Sequence, residues 1–418
     1  MQESYGARVG LDWASGSHAV CWREVATGKV HIGNLPHSSE EIGAWLNKLR
    51  AGNPQGRIAI CLEQSRGAVI YALMGYEFVD LYPVNPVQLA SYRKTLRPSG
   101  AKDDPDDAAL ALDLLETHRD KLAIWHPDSE ATRLLRSRCE DRRKNVDLRT
   151  ALCHRLRAKL REYFPQALEL VGSDLFSKLS CALLMKWPRF EAVAAARPDT
   201  LRRFYYAHHL RCESVIAQRL NIVATGQPIC TDEAVVQAGI LTVRTLVGVI
   251  RSLNPAINSY DRRIAEVFQQ HPEHFSFQSL PGAGANLAPR LLITFGTDRS
   301  RFPDAAAVAA YTGVAPVVER SGHSCWTHWR WHCPKFLRQS LVEFAAHSIP
   351  FSPWAQLYYQ DQRRRGKRHQ AAVRALAFKW VRIIFRCWQD RVPYDEATHL
   401  ASLRQHGSWI ADQLEEAA

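Results

Sequence analysis

Short apolar stretches of strand character alternate with helical ones over roughly the first hundred residues. In Arg8–Ala14 (RVGLDWA), Val9, Leu11 and Trp13 point one way and Gly10, Asp12 and Ala14 the other. This is the period-2 pattern of a strand with one face of small residues. His18–Val25 and Lys29–Leu35 predict two further strands joined at Thr27-Gly28, and Ser38–Leu49 predicts a helix capped by Ser38 or Ser39. Arg57–Glu63 (RIAICLE) predicts a short buried strand with Glu63 at its C-terminal end. A helix from Gly67 to Gly75, a strand at Phe78–Pro83 and a helix from Pro86 to Leu96 complete the series. A hairpin followed by βαβ units implies a mixed sheet flanked by helices, the α/β class.

The next stretch, Ala101–Leu115 (AKDDPDDAALALDLL), sets Asp103, Asp104, Asp106 and Asp107 around Pro105 and runs on into an apolar helix. Asp104 and Asp107 are three apart, so both carboxylates lean over one turn. Their repulsion is relieved by a divalent cation with a demand for oxygen ligands, Mg²⁺ above all. The same residues also make a good helix start, with an Asp cap, Pro at the first helical position and acids at the positive dipole end. Upstream, Asp12 lies on the first strand and Glu63 ends the fourth. A charged residue on an otherwise small and apolar strand face needs a partner, and α/β sheets place their sites at strand ends. Asp12, Glu63, Asp104 and Asp107 are therefore expected to converge.

From Pro127 to Tyr163 there is no further Pro and no Gly, which predicts one long helix stopped by Pro165. Leu135, Cys139, Val146, Cys153, Leu156 and Leu160 fall near an a/d spacing, interrupted by Arg142 and Arg149. Between Arg133 and Arg161 there are 11 Lys or Arg against 3 Asp or Glu. That imbalance suits a helix lying along a phosphate backbone or packing in a coiled-coil dimer, with Arg142, Arg143, Lys144 and Arg149 as candidate contacts. Leu168–Gln270 is expected to be mostly helical, punctuated by Pro188, Pro198, Pro228 and Pro255.

Chemistry re-emerges in the C-terminal third. Ser279–Ile293 sets Pro281, Gly282 and Gly284 just before a helix, where glycines let a phosphate approach the free N–H groups. The stretch resembles a helix-hairpin-helix, and a plain helix connection fits equally well. Phe302–Pro316 predicts a capped small-residue helix ended by Gly313, leading to Ser321-Gly322 between Arg320 and His323. That serine is either an exposed nucleophile or a turn residue. In Gly322–Cys333 (GHSCWTHWRWHC) no Cys pair has zinc-finger spacing, and the alternation favours a Trp-rich strand or hairpin. The helix from Pro334 carries Lys335 and Arg338. Asp361–Arg391 has 10 Lys or Arg against 2 Asp, including Arg363, Arg364, Arg365, Lys367 and Arg368. Phe378, Trp380, Phe385 and Trp388 are interleaved there, so one face reads as core and the other as a backbone-binding surface.

Composition narrows the class. The 418 residues are 46% hydrophobic and 23% charged, with a net charge of +12 that points to a polyanionic partner. Ten cysteines without a C-x-x-C pair suit reduced thiols in a cytosol. No signal-peptide pattern and no membrane-length apolar run is expected, so the reading is a cytoplasmic protein without a membrane role.

Assembled, these residues resemble the DEDD-type transposases of the IS-one-ten insertion-sequence family, to which Piv-type DNA invertases are similar. The first acid of that family matches Asp12 in GLDWA, its glutamate Glu63 in CLEQS, and its D-x-x-D-A motif Asp104 and Asp107. A C-terminal pattern matches Leu280–Gly284, Phe302, Tyr311–Pro316 and Ser321-Gly322. The match departs after Ser-Gly, where Cys333-Pro334-Lys335-Phe336 precedes Leu337-Arg338 in place of the Gly-Asn found in many members.

The resemblance implies an RNase H-like (RuvC-like) α/β domain over 1–126 and a helical coiled-coil and connecting region over 127–270. A mostly α serine transposase domain over 271–350 and a basic helical tail over 351–418 would follow. It further implies a two-metal Mg²⁺ site on Asp12, Glu63, Asp104 and Asp107, with Ser321 attacking DNA to give a phosphoserine linkage. A structured guide RNA from the element and a homo-oligomer, dimer or tetramer, would be partners. Competing readings are a RuvC-like junction endonuclease that cuts with water, a non-catalytic nucleic-acid-binding protein and an actin-like ATPase. The ATPase reading lacks an obvious second phosphate loop.

Overall fold

The computed structural model describes residues 5–63, 67–96 and 104–416. Met1–Pro127 and Asp128–Ala418 form two compact units.

The first unit is built on a five-stranded sheet in the order β3-β2-β1-β4-β5. β1 (Tyr5–Asp12), β2 (Ser17–Glu24) and β3 (Val30–Pro36) form an antiparallel meander. β4 (Arg57–Leu62) and β5 (Val79–Pro83) add parallel to β1, as the expected crossover units require. One face carries the bulky residues. Val9, Leu11, Ile58, Ile60 and Leu62 pack against Ile42 and Leu46 of α1 (Ser39–Ala51) and against Val69, Ile70 and Leu73 of α2 (Ala68–Leu73).

The other face is lined by small residues, which lets a helix come close. Ala19 and Cys21 meet Ala108 and Leu112 of α4 (Asp104–His118), and Ala59 and Cys61 meet its Leu110, Ala111 and Leu114. A Cβ built on Gly10 would lie 2.0 Å from the Ala108 carbonyl oxygen and 2.4 Å from the Leu112 nitrogen. No side chain fits there. α3 (Pro86–Leu96) joins the same layer through Leu89. Residues 101–103 of the acidic stretch lie outside the described residues.

The second unit is helical apart from one hairpin. α5 (Glu130–Tyr163), capped by Ser129, is the long helix expected from the Pro-free stretch. Five short helices, α6–α10, occupy the span from Gln166 to Thr225. α11 (Glu233–Gln270) then returns along α5. Leu135 and Cys139 of α5 share a core with Ile264 and Phe268 of α11. Farther along, Leu152, Leu156, Leu160 and Tyr163 share a second core with Val236, Val243 and Ile250. The a/d-like stripe of α5 is thus covered within its own chain. Pro255, expected to break the region, lies inside α11. A proline there costs about 3 kcal/mol locally, and packing along the whole of α5 offsets it. By length and composition α11 also passes as a membrane span, contrary to the expectation that no such run exists. Its apolar stripe, however, faces α5.

The chain continues through α12 (His274–Gln278), α13 (Gly284–Phe295), α14 (Ala305–Thr312), the hairpin β6 (Val317–Ser321) and β7 (Ser324–His328), and α15 (Lys335–Ser348). α16 (Pro353–Arg364), α17 (His369–Asp390), α18 (Glu396–Gln405) and α19 (Trp409–Glu416) complete it. Three buried tryptophans centre this part, and each indole N–H is satisfied. Trp354 donates to Tyr394 Oη at 2.9 Å, Trp380 to Ser348 Oγ at 2.8 Å and Trp388 to the Gly296 carbonyl at 2.8 Å.

Gly10→Ala should destabilise the first unit by about 1–3 kcal/mol or more through overpacking. Gly16→Ala meets nothing within 4 Å and should change stability by less than about 0.5 kcal/mol. Urea denaturation of the two variants checks the contrast.

Candidate active site

The direction of α4 decides where the acids fall. Its Ala108 sits over Gly10, while Glu116 pairs with Arg8 at 3.6 Å and with Arg23 at 2.8 Å. Those partners place the helix antiparallel to β1, with its acidic first turn over the C-terminal end of that strand. Asp12 ends β1, on the same face as Gly10. Leu11 pairs with Leu62 on β4, so Glu63 emerges one step beyond that pair, beside Asp12. Asp12 and Glu63 are half-buried, Asp104 is exposed, and Asp107 is only 2% exposed.

Asp107 Oδ1 takes a guanidinium contact from Arg93 of α3 at 2.6 Å. Its Oδ2 is buried without a hydrogen-bond partner, as is Arg93 Nε. A buried ion pair normally satisfies all its polar atoms, so this one leaves carboxylate capacity over. Among the described residues no group of three or more His, Cys, Asp or Glu is placed to hold a metal ion, so the four expected ligands are not gathered into one metal-binding set. The donor chemistry nevertheless fits a hard divalent cation: carboxylate oxygens only, at one sheet end, with one buried oxygen unused.

Ser321 ends β6 and pairs with Ser324 across a two-residue turn, Gly322-His323. Gly322 has φ +56°, the left-handed conformation that such tight hairpin turns demand. The expected hairpin therefore forms from Val317 to His328, and the alternation of Gly322–Cys333 runs along its second strand and into the segment leading to α15. Both strands are exposed over nearly their whole length, so Ser321 and Arg320 face solvent. The His328 ring bonds the Trp329 carbonyl at 3.1 Å and Glu319 on the neighbouring strand. The carbonyl first, and Glu319 second, raise the His328 pKa.

Two family models match the chain. One, described as a transposase and named for the DEDD motif and IS110, covers residues 9–165. The other, described as the transposase IS116/IS110/IS902 family, covers residues 276–360. Together they span more than half of the chain and bracket all five residues expected to be catalytic. The chain belongs to this insertion-sequence transposase family. A Streptomyces coelicolor protein named as the candidate transposase of the IS117 mini-circle is 27% identical over 413 residues, 97% of this chain and 99% of its own length. The 43.6 kDa protein of insertion element IS110 from the same organism is 27% identical over 406 residues, 94% and 96% of the two chains. A candidate transposase of Sinorhizobium fredii is 29% identical over 209 residues, 49% of this chain and 57% of its own.

In the transposase, several basic residues expected on a nucleic-acid face are engaged internally. Arg142 pairs with Asp261 of α11, and Arg143 with Asp147 at 2.7 Å and Glu343 of α15 at 3.2 Å. Arg149 donates to Asn254 at 2.9 Å and lies 4.0 Å from the Phe176 ring centroid. Lys144 pairs with Asp141 on its own helix and keeps 76% of its side chain exposed. These arginines fasten α5 to its neighbours. Gly282 has φ +77°, and a Cβ there would lie 2.5 Å from the His347 carbonyl oxygen. Its lack of a side chain is accounted for by contact with α15. Gly284, at φ +54°, faces open space. Arg320, Lys335, Arg363, Arg364, Arg365, Lys367 and Arg368 are exposed. Arg365 pairs with Asp361 at 2.8 Å, and Lys367 donates to Gln362.

Sequence reasoning missed Arg93, which no local pattern marks, and His18. The Ala14 N–H donates to His18 Nδ1 at 3.3 Å, so the proton sits on Nε2, which bonds His37 Nδ1 at 2.9 Å. His18 thereby ties down the segment that follows Asp12. Burial first, and the neighbouring His37 second, push its pKa below the ordinary 6.5. A group depressed in this way contributes stability above pH 6.5 that is lost as pH falls through its folded pKa. Urea midpoints of the transposase should fall between about pH 7 and pH 5, and His18→Gln should flatten that dependence.

Proposed function

We propose that this transposase cuts and rejoins DNA by phosphoryl transfer, with Ser321 as nucleophile and Asp12, Glu63, Asp104 and Asp107 as the acidic site. The observation that carries the reading is the meeting of Asp12 and Glu63 at adjacent strand ends beneath the acidic turn of α4, with one oxygen of Asp107 buried and unused. The sheet, an antiparallel meander with parallel strands added beyond β1, supports an RNase H-like (RuvC-like) assignment. Asp12, Glu63, Asp104 and Asp107 would hold Mg²⁺, in a two-metal site. When bound, Mg²⁺ would polarise the scissile phosphate and offset the charge that develops there.

Ser321 Oγ forms a bond to phosphorus while the bond from phosphorus to the leaving deoxyribose oxygen breaks. The serine gives up its proton, and the leaving oxygen gains one. A hydroxyl of the partner strand then attacks the phosphoserine and releases Ser321, so the bond energy is kept without ATP. A serine hydroxyl is weak unless activated, which is why the chemistry calls for the acidic site as well. Exposure at a hairpin end supports this role for Ser321. The excess of basic residues supports a polyanionic partner: DNA, with a structured guide RNA encoded by the element. A homo-oligomer acting in the bacterial cytoplasm completes the reading.

The test mixes full-length protein, Mg²⁺, RNA copied from the flank of the element and labelled end-junction DNA, then denatures the mixture. Labelled protein should form, and Ser321→Ala should reduce it at least about a thousandfold. Asp12→Asn should abolish both adduct and cleavage. Cleavage that persists in Ser321→Ala without any adduct would show that water is the nucleophile.

A further inference from the structure

Two guanidinium groups gather on Trp329, where the Ser321 hairpin joins the body of the second unit. Trp329 directly follows β7. Arg338 of α15 lies 4.2 Å from its ring centroid and Arg374 of α17 lies 4.3 Å from it. Arg338 also donates to the Arg330 carbonyl at 2.8 Å. Arg330 Nε is buried without a hydrogen-bond partner. Among the described residues, no carboxylate forms an ion pair with Arg330, Arg338 or Arg374.

Several buried or half-buried arginines of this unit have an acid: Arg142 has Asp261, Arg290 has Glu343, Arg299 has Glu273 and Arg301 has Asp128. Among the described residues, the two arginines on Trp329 have none. Burial first, and Arg338 second, depress the Arg374 pKa, as expected of like charges brought together. The indole face offsets part of that cost but carries no net charge. Such a cluster calls for an anion, and Arg suits phosphate because its fork of donors matches phosphate oxygens.

Position identifies the anion. Trp329 follows His328, which pairs with Val317 at the base of the hairpin, while Ser321 lies at the other end of β6. Four residue steps of strand separate the two by about 13 Å, or about two nucleotides along one strand of a duplex, which winds about the axis as well as rising ~3.4 Å per step. Trp326 and Trp331 are 47% and 69% exposed beside this path, as stacking platforms for nucleic acid are. Lys335, also exposed, opens α15 behind a Pro334 that provides no side-chain cap.

We infer that Arg338 and Arg374, arranged on Trp329, form a binding site for one phosphate of the DNA strand, about two nucleotides from the phosphate that Ser321 attacks. The spacing rests on Ser321 being the nucleophile; the phosphate site does not. Arg338 and Arg374 act as positioning residues, holding the register of the strand against the hairpin.

The experiment is a methylphosphonate scan of a labelled end-junction duplex. Neutral linkages replace single phosphates, and Kd is measured for full-length wild type and Arg374→Gln over a range of salt. Arg374→Gln should weaken binding about fivefold to tenfold and lower the salt slope by about one. At one phosphate, roughly one to three nucleotides from the cleavage point, the methylphosphonate should weaken wild type equally and leave Arg374→Gln unaffected. Arg374→Lys, which keeps the charge, should retain the salt slope. Additive losses at every position, or a loss confined to RNA binding, would overturn the site. A coupled phosphate without any Ser321 adduct would uphold the site while removing Ser321 from the mechanism. A fall in thermal stability with an unchanged salt slope would make the cluster structural and overturn the proposal.

Discussion

A helix lying directly on β1, at a point where no side chain fits, governs the first unit. With a Cβ at position 10 only 2.0 Å from the Ala108 carbonyl oxygen, α4 can occupy this position only because residue 10 is glycine. The alanines and cysteines of β2 and β4 extend the same low surface on either side. This close packing turns the C-terminal ends of β1 and β4 and the first turn of α4 into one acidic corner. Arg93 supplies Asp107 with a single contact and leaves the second oxygen bare. That unused oxygen is the buried acceptor the corner still has to offer.

Charge is distributed by a different logic in the second unit. Most half-buried arginines of α5 and α13 are spent on structure, and Glu343 alone ties Arg143 of α5 to Arg290 of α13. Of the basic groups expected on a nucleic-acid face, most of those that stay exposed lie toward the chain's end: on the hairpin, at the start of α15, and between α16 and α17. A net charge of +12 thus overstates the surface offered to nucleic acid by α5 and understates how concentrated it is elsewhere.

The legible parts of the sequence were those in which one local pattern fixes one outcome. Alternation in RVGLDWA and the short apolar run in RIAICLE gave the strands, and with them the position of Asp12 and Glu63 at strand ends. The Pro-free run gave α5, and the alternating, Trp-rich residues after Gly322 gave the hairpin. Partners far apart in sequence were not legible. Asp261 lies 119 positions from Arg142 and Glu343 lies 200 from Arg143, so a basic helix read by itself resembles a phosphate-binding one. Pro255 read as a break because local propensity cannot register the packing that carries α11 through it. Arg93 and His18 sit among ordinary helix and strand residues, and only the fold gives them a role.

Crystals of the full-length transposase with DNA, soaked in Mn²⁺, would test the acidic corner most directly, because manganese scatters anomalously and accepts the same oxygen ligands as Mg²⁺. The account predicts an anomalous peak within about 2.5 Å of carboxylate oxygens of Asp12, Glu63 and Asp107, with Arg93 withdrawn from Asp107. A fully loaded crystal with no peak there, and Arg93 still paired to Asp107, would contradict it.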